Sequence, residues 1–287
     1  MGAALRAELF KALRRPGVWV TLGLMFVVLL GLNYLTIWLV ATHLPAVRGP
    51  GGGERLAAIA NARKGLYPSA FVRKTLSAGQ GLMGVFILIV AVLLQGSEYG
   101  WGTVKTAFTQ LPGRIEIMAG RLLTLAVLIV LAGAGLLAAG AAISYALALA
   151  DGVAVSWPSV TEIGKGLAAL WLISGVWAAI GFALATLFRQ SGAAIGVGLA
   201  YGILVEDLVF SLLSGLGDTV KQVHIWFPVA NMGYLVQSFG QATGGIGPAG
   251  LATTPDADAT HAVIVLLLWL AVLVAGSLFL VKRRDVI

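Results

Sequence analysis

The side chains with the clearest chemical potential are two adjacent carboxylates, Glu206 and Asp207, inside an otherwise apolar run. Ionisable groups within a membrane span are costly and are usually retained for a function. The pair could line a path for a cationic substrate, take part in a proton-linked step or act as a gate. It could also lie where the run has already reached the outer interface, and the sequence leaves these roles open.

Catalytic and metal chemistry find little support in the sequence. His43, His224 and His261 are far apart, no HExxH spacing occurs, and the chain has no cysteine. No arrangement of a nucleophile beside a base is recognisable. The sequence therefore predicts no catalytic residue, no bound metal and no enzymatic activity of its own.

Two glycine patterns bear on nucleotide binding. Gly79, Gly81 and Gly84 form a GxGxxG spacing, but no predicted strand precedes it, so close helix packing explains these glycines better. No GxxxxGK[ST] phosphate loop occurs. We expect no cofactor on this chain, and any ATP chemistry would have to come from another polypeptide.

Composition places the 287-residue chain in the membrane. It is 59% hydrophobic and 11% charged, whereas soluble domains carry about 25% charged residues. The net charge of +7 fits a membrane protein, because cytoplasmic loops are enriched in Lys and Arg. The basic residues lack the aromatic interleaving of a nucleic-acid surface. The expected class is an all-α polytopic membrane protein in contact with the lipid bilayer and with no nucleic-acid partner.

The apolar runs predict a single transmembrane domain, 1–287, with six spans. Trp19 and Trp38 bracket the first span, about 28 Å apart at helical rise, which matches the hydrocarbon thickness. No small-residue cleavage site follows this run, so it does not resemble a cleaved signal. The predicted spans cover about residues 18–41, 79–97, 122–150, 166–188, 191–213 and 262–281.

Polar segments flank these spans. Residues 1–17 predict an amphipathic interfacial helix that ends near Pro16, although a mobile basic tail is the alternative. Its apolar stripe would be Leu5, Leu9, Phe10 and Leu13. Residues 42–78 predict a polar loop. Within the outer segment 214–260, the piece from His224 to Phe239 is broken by Pro228 and predicts a re-entrant or interfacial element.

The segment 98–121 between the second and third spans carries helical sequence of its own. A helix from Gly102 to Leu111, stopped by Pro112, would be too short to be stable alone, so it needs a surface. A soluble partner, the amino-terminal helix or lipid headgroups could provide one. We expect Glu98 to pair with Arg121 and fix this segment to the spans, with a solvated carboxylate as the alternative.

With six spans both termini share one side, and the basic residues are denser on that side. This distribution predicts cytoplasmic termini in a multi-pass plasma-membrane protein. Three pieces of sequence, together with the topology, resemble the permease subunits of type-2 ABC transporters of the drug and antibiotic exporter class. The resemblance covers essentially the whole chain. The pieces are Glu8-x-x-Lys11 with Arg14-Arg15-Pro16 and Trp19, Glu98-Tyr99-x-x-Gly102-Thr103 with Pro112-x-Arg114 and Arg121, and the carboxyl-terminal Lys282-Arg283-Arg284-Asp285.

The resemblance implies a dimer with a second permease copy or a paralogue, each half binding an ABC ATPase subunit that carries ATP and Mg. It implies that the segment 98–121 holds a coupling helix beside an amino-terminal connecting helix, and that the cargo is exported. The spans, rich in Ala, Gly, Leu and Val with few polar groups, suit a hydrophobic or amphipathic small molecule or peptide as that cargo. The implied ATPase contacts are Gly102, Thr103, Lys105, Phe108 and Arg114, and the implied connecting-helix residues are Glu8, Lys11, Arg14 and Arg15.

Two rival functions remain at this stage. The chain could be a non-transporting membrane sensor or an assembly scaffold. It could also be an ion-driven carrier, but such carriers show inverted repeats or paired broken helices, and no convincing internal repeat is visible.

Overall fold

The computed structural model describes residues 2–43, 59–100, 102, 113–213, 218–240 and 257–283. Within these ranges all regular structure is helical, as predicted. The helices are α1 Gly2–Arg14, α2 Pro16–Val40, α3 Pro68–Gly100, α4 Arg114–Ala150, α5 Val160–Phe188, α6 at 191–213, α7 Asp218–His224, α8 Pro228–Gln237 and α9 Ala259–Arg283.

Five of these helices, α2, α3, α4, α5 and α9, are long and apolar enough to cross a membrane. The predicted fifth span corresponds to α6, which is helical along the same residues. Only its first part, Ser191–Ala200, is a continuous apolar α-helix, and that part is short for a span. The described residues thus support a multi-pass helical membrane protein with five clear candidate spans.

Three helices begin earlier than the apolar runs predicted. Residues 68–78, predicted as the end of a polar loop, form the helical beginning of α3. Pro68 occupies the first turn of this helix, where proline is well tolerated. Lys74 lowers the apolarity of this stretch, although it lies buried inside the protein. Similarly, α4 begins at Arg114 and α5 at Val160. The coupling segment 98–121 is therefore shorter than predicted, because 114–121 belong to α4.

The centre of the bundle is the contact between α3 and α5. Glycines let the two backbones approach: a Cβ at Gly181 would lie 2.6 Å from the carbonyl oxygen of Leu88. The largest side chain buried there is Trp177, which lies between Gly84 of α3 and Gly202 of α6. The helix α6 follows a tight turn in which Arg189 has a positive φ of 54°, so α5 and α6 are antiparallel neighbours.

Wide π-helical turns interrupt three of the apolar helices. They lie at Gly31–Leu35 in α2, Gly79–Met83 in α3 and Tyr201–Val205 in α6. Such turns insert an extra residue into the helix and are frequent at functional sites. Each contains a residue that contacts a neighbouring helix: Tyr34 approaches α4, while Gly79 and Gly202 both approach α5.

Hydrogen bonds to Asp151 join the chain before α3 to the end of α4. Arg63 Nη2 donates to Asp151 Oδ1 over 2.6 Å, and the Tyr67 hydroxyl donates to Asp151 Oδ2 over 2.9 Å. The hydrogen bonds from Arg63 hold the pKa of Asp151 below its ordinary value. Because Arg63 is 38% exposed, solvent screens this pair and its contribution to stability is small.

Candidate functional site

Five polar side chains meet where α1, α3 and α4 come together, and we call them the charged cluster: Glu8, Arg15, Gln95, Glu98 and Arg121. Glu98 lies two residues before the end of α3, and Arg121 lies in the second turn of α4. The segment 101–112 connects these two helix ends. The cluster therefore lies at the two helix ends that flank the segment for which the resemblance implies a coupling helix.

The sequence of α1 allows this helix to pack against α4 beside the charged cluster. Its buried face is Ala4, Glu8 and Ala12, spaced four residues apart on one side of the helix. Small residues let it pack closely on α4: a Cβ at Gly120 would lie 3.1 Å from the carbonyl oxygen of Ala4. The extended backbone at Arg15 then separates α1 from α2.

Arg121 is the centre of the charged cluster and is only 1% exposed. Its Nη1 donates to Gln95 Oε1 over 2.9 Å, and its Nη2 donates to Glu98 Oε2 over 3.2 Å. Its Nε lies 3.5 Å from Glu8 Oε2. One guanidinium group thus holds side chains from two other helices.

Glu98 bridges two arginines, because its second oxygen, Oε1, pairs with Nη2 of Arg15. Arg15 Nη1 also donates to Ser97 Oγ over 3.0 Å, so Arg15 is held against the end of α3. Glu98 is 3% exposed. This burial is inconsistent with the alternative of a solvated carboxylate.

The formal charges of the cluster balance, with two carboxylates and two guanidinium groups. Burial of ions is tolerated when they are paired and hydrogen-bonded, but removing one partner leaves an uncompensated buried charge. Gln95 extends the cluster to a fourth helix, since its Nε2 donates to Thr186 Oγ1 of α5 over 3.1 Å. The ends of α1, α3, α4 and α5 are therefore connected by one set of polar contacts.

The residues predicted for the connecting helix divide into two groups. Glu8 and Arg15 belong to the charged cluster, whereas Lys11 and Arg14 lie at its outer side. Lys11 pairs with Glu8 over 3.0 Å and is 44% exposed, and Arg14 stacks 4.6 Å above the ring of Phe10. The predicted apolar stripe does not form the face that packs on α4, because Phe10 and Leu13 are exposed.

Among the predicted ATPase contacts, Thr103, Lys105 and Phe108 lie outside the described residues. Gly102 follows α3 with a positive φ of 67°, and Arg114 is the first residue of α4. Gln95 was missed as a member of the cluster. Its spacing of three residues from Glu98 on one helix face was the available signal.

Glu206 forms a second buried polar contact, at the opposite end of the bundle. Its Oε2 accepts hydrogen bonds from the Tyr201 hydroxyl over 2.8 Å and from the Val229 amide over 3.2 Å. Its Oε1 accepts the Ala230 amide over 2.8 Å and lies 3.9 Å from His224 Nε2. The carboxylate therefore binds the amino terminus of α8, where backbone N–H groups and the helix dipole favour an anion.

This contact defines the predicted re-entrant element in more detail. The piece from His224 to Phe239 contains the end of α7 and all of α8, with Pro228 at the first position of α8. Glu206 attaches α8 to the wide turn of α6. The side chain of Asp207 lies outside the described atoms.

We predict that Glu206→Ala will loosen the first turn of α8. Loss of hydrogen bonds to a charged group should cost about 1.5–3 kcal/mol locally. Amide hydrogen exchange at Val229 and Ala230 should accelerate, and Glu206→Gln, which keeps an acceptor oxygen, should show a smaller change. Ser238→Ala, at the other end of α8, is the matched control, and equal exchange at both amides in all variants would contradict the assignment.

A comparison with curated proteins found no match to the chain. A family model with the description "Protein of unknown function (DUF2705)" matches residues 57–287. The matched range contains Gln95, Glu98, Arg121 and Glu206, and it begins after α1 and α2. With most of its length matched, the chain belongs to the DUF2705 family.

Proposed function

We propose that this chain is the membrane-spanning permease subunit of an ATP-driven transporter, similar to the type-2 ABC class. In this proposal α6 completes six spans, both termini lie in the cytoplasm, and the protein resides in the plasma membrane. A second copy or a paralogue completes the conduit. Separate ABC ATPase subunits bind ATP and Mg, and the cargo is a hydrophobic or amphipathic small molecule or peptide that is exported.

The charged cluster is the observation that carries this proposal. A force on the segment 101–112 acts first on the two helix ends that it joins. Those ends are connected through Glu98 and Arg121, and Arg15 and Glu8 add α1 to the same contacts. A buried polar network loses much of its energy when its geometry changes, so these helix ends favour moving as a unit.

The mechanism follows from that connection. Closure of the ATPase subunits around ATP would press on the predicted coupling helix, Gly102–Leu111. The charged cluster would pass the displacement to α1, α3 and α4, and the spans would reorient as rigid bodies. Access to the conduit between two permease halves would then alternate between the two sides of the membrane.

The decisive experiment is co-purification with an ABC ATPase encoded beside this chain, followed by reconstitution in liposomes with Mg and ATP. We expect a stable complex in which the permease changes the ATP turnover of its partner. Lys105→Glu and Phe108→Ala should abolish that effect while the protein stays in the membrane. Lys165→Glu, on an exposed position of α5, is the control.

Three outcomes would contradict the proposal. Wild-type stimulation in both variants would show that the segment does not couple. A stable complex without ATP-dependent transport would favour a sensor or scaffold. Transport driven by an ion gradient in the absence of any ATPase would favour an ion-driven carrier.

A further inference from the structure

The outward face of α1 combines positive charge with apolar side chains. The side of the helix opposite the face that packs on α4 carries Arg6, Phe10, Leu13 and Arg14, all of them exposed. The only acidic residue of α1, Glu8, is buried and paired with basic residues. The outward face is therefore cationic and partly apolar, and it carries no carboxylate of its own.

The chain holds this face at the level of the membrane surface. The helix α1 ends at Arg14, and the first candidate span begins at Pro16. Trp19, in the first turns of that span, donates its indole N–H to the carbonyl oxygen of Leu13 over 2.7 Å. Tryptophan is enriched where a span leaves the hydrocarbon. A helix joined so closely to the start of a span lies beside the lipid head groups.

The pair of Phe10 and Arg14 has a counterpart at the end of α9. In each pair the arginine follows the phenylalanine by four residues, and its guanidinium carbon lies 4.6 Å from the ring centre. The rings of Phe10 and Phe279 are 58% and 53% exposed. Such a pair suits a membrane surface, because the ring can enter the apolar layer while the guanidinium group of Arg14 or Arg283 stays among the head groups.

Both pairs lie at the same end of the bundle. The helix α9 begins beside the turn before α8, where His261 Nε2 lies 2.9 Å from the carbonyl oxygen of Ile225. That turn adjoins the contact of Glu206 with α8, at the end opposite the charged cluster. With 25 residues, α9 is about 37 Å long, so Arg283 lies at the charged-cluster end, as α1 does. The two pairs therefore face the same leaflet.

The exposed charges at this end favour an anionic partner. Among the described residues, the carboxylates of Glu8 and Glu98 are buried against arginines, and Glu116 is exposed. Anionic lipids attract basic residues that lie close to the membrane surface. The exposed basic residues at this end include Arg6, Arg14, Lys282 and Arg283.

We propose that the outward face of α1, together with the Phe279–Arg283 pair of α9, binds the anionic head groups of phospholipids. Arg6 and Arg14 bind the phosphate oxygens, while Phe10 enters the boundary of the acyl chains. A helix that merely lies in the interface would not distinguish lipids by charge, whereas this surface selects anionic ones. The proposal stands independently of transport, because it requires neither an ATPase nor a second copy.

The test uses the full chain reconstituted in dioleoyl phosphatidylcholine bilayers that contain a brominated lipid, which quenches the fluorescence of tryptophans in contact with it. The difference between the wild-type protein and Trp19→Phe isolates the signal of Trp19, which is 53% exposed beside α1. Brominated phosphatidylglycerol is compared with brominated phosphatidylcholine at equal mole fraction. We expect the anionic lipid to associate roughly fivefold more strongly, the ratio for one basic residue near an anionic surface. This preference should fall in about 1 M salt, which screens exposed charges.

The double variant Arg6→Gln with Arg14→Gln should bring the ratio close to one, and it leaves the buried face of α1 unchanged. Lys64→Gln with Lys165→Gln is the matched control, because it removes two exposed charges at the other end of the bundle. Equal quenching by the two lipids in the wild-type protein, or an unchanged ratio in the arginine variant, overturns the proposal. The absence of Trp19 quenching by either lipid also overturns it and indicates that a soluble partner covers α1.

Discussion

Replacing Arg121 with methionine should destabilise the folded chain by about 3–5 kcal/mol, the range for breaking a buried ion pair by removing one partner. The substitution removes one of the two arginines that pair with Glu98, and it leaves the buried Gln95 Oε1 without the donor that Arg121 supplies. Methionine fills much of the volume of the arginine side chain, so the loss of charge and hydrogen bonds dominates the change in folding stability. Chemical unfolding of the detergent-solubilised protein measures the change.

Two variants make this expectation specific. Arg114→Met alters the first residue of α4, outside the charged cluster, and should change stability little. The double variant Glu98→Gln with Arg121→Met should lose less than the sum of the single changes, because it also removes the stranded charge. Equal stability of the Arg121→Met and Arg114→Met proteins would show that the cluster contributes nothing to the fold.

Trp177→Ala should cost about 3–5 kcal/mol, the range for a large aromatic side chain removed from a core. Trp177 is 1% exposed and fits between two glycines of different helices. A Cβ at Gly84 would lie 2.1 Å from its Nε1, and a Cβ at Gly202 would lie 2.0 Å from its Cη2. Removing the indole therefore leaves a cavity at the junction of α3, α5 and α6, and chemical unfolding should register it.

The same contact offers a reciprocal experiment. Gly84→Ala should destabilise the wild-type protein, because the new methyl group overlaps the indole, but it should be tolerated in a Trp177→Ala background. Trp226→Ala is the matched control, since Trp226 is 54% exposed. If Gly84→Ala has the same cost in both backgrounds, the proposed packing of Trp177 is wrong.

The sequence predicted the all-helical class and the Glu98–Arg121 contact for related reasons. Long apolar runs require helices in lipid, and Glu98 and Arg121 are opposite charges at the two ends of one loop between consecutive spans. The role of Glu8 was harder to see, because it lies among basic residues on the polar side of an amphipathic pattern. Its burial depends on the approach of α1 to Gly120, which is a tertiary contact.

Other features depend on contacts that periodicity does not encode. Lys74 lowered the apolarity of 68–78, so this stretch was predicted as a loop, although it is the buried beginning of α3. Glu206 stood out as a costly carboxylate, but two of its partners are backbone amides more than twenty residues away. The wide turns have no sequence signature of their own, so the inward orientation of Tyr34 could not be predicted.

The length and continuity of α4 have a mechanical consequence. Its 37 residues form one continuous α-helix without proline, whereas α2 and α3 each contain a wide turn. Arg121 and Ser144 are about 35 Å apart along its axis at 1.5 Å per residue. A tilt of about 5° pivoting near Arg121 would displace Ser144 by roughly 3 Å over that length. The helix can thus act as a lever arm: a small rotation near Arg121 moves the far end of α4 by a distance comparable to the length of a side chain.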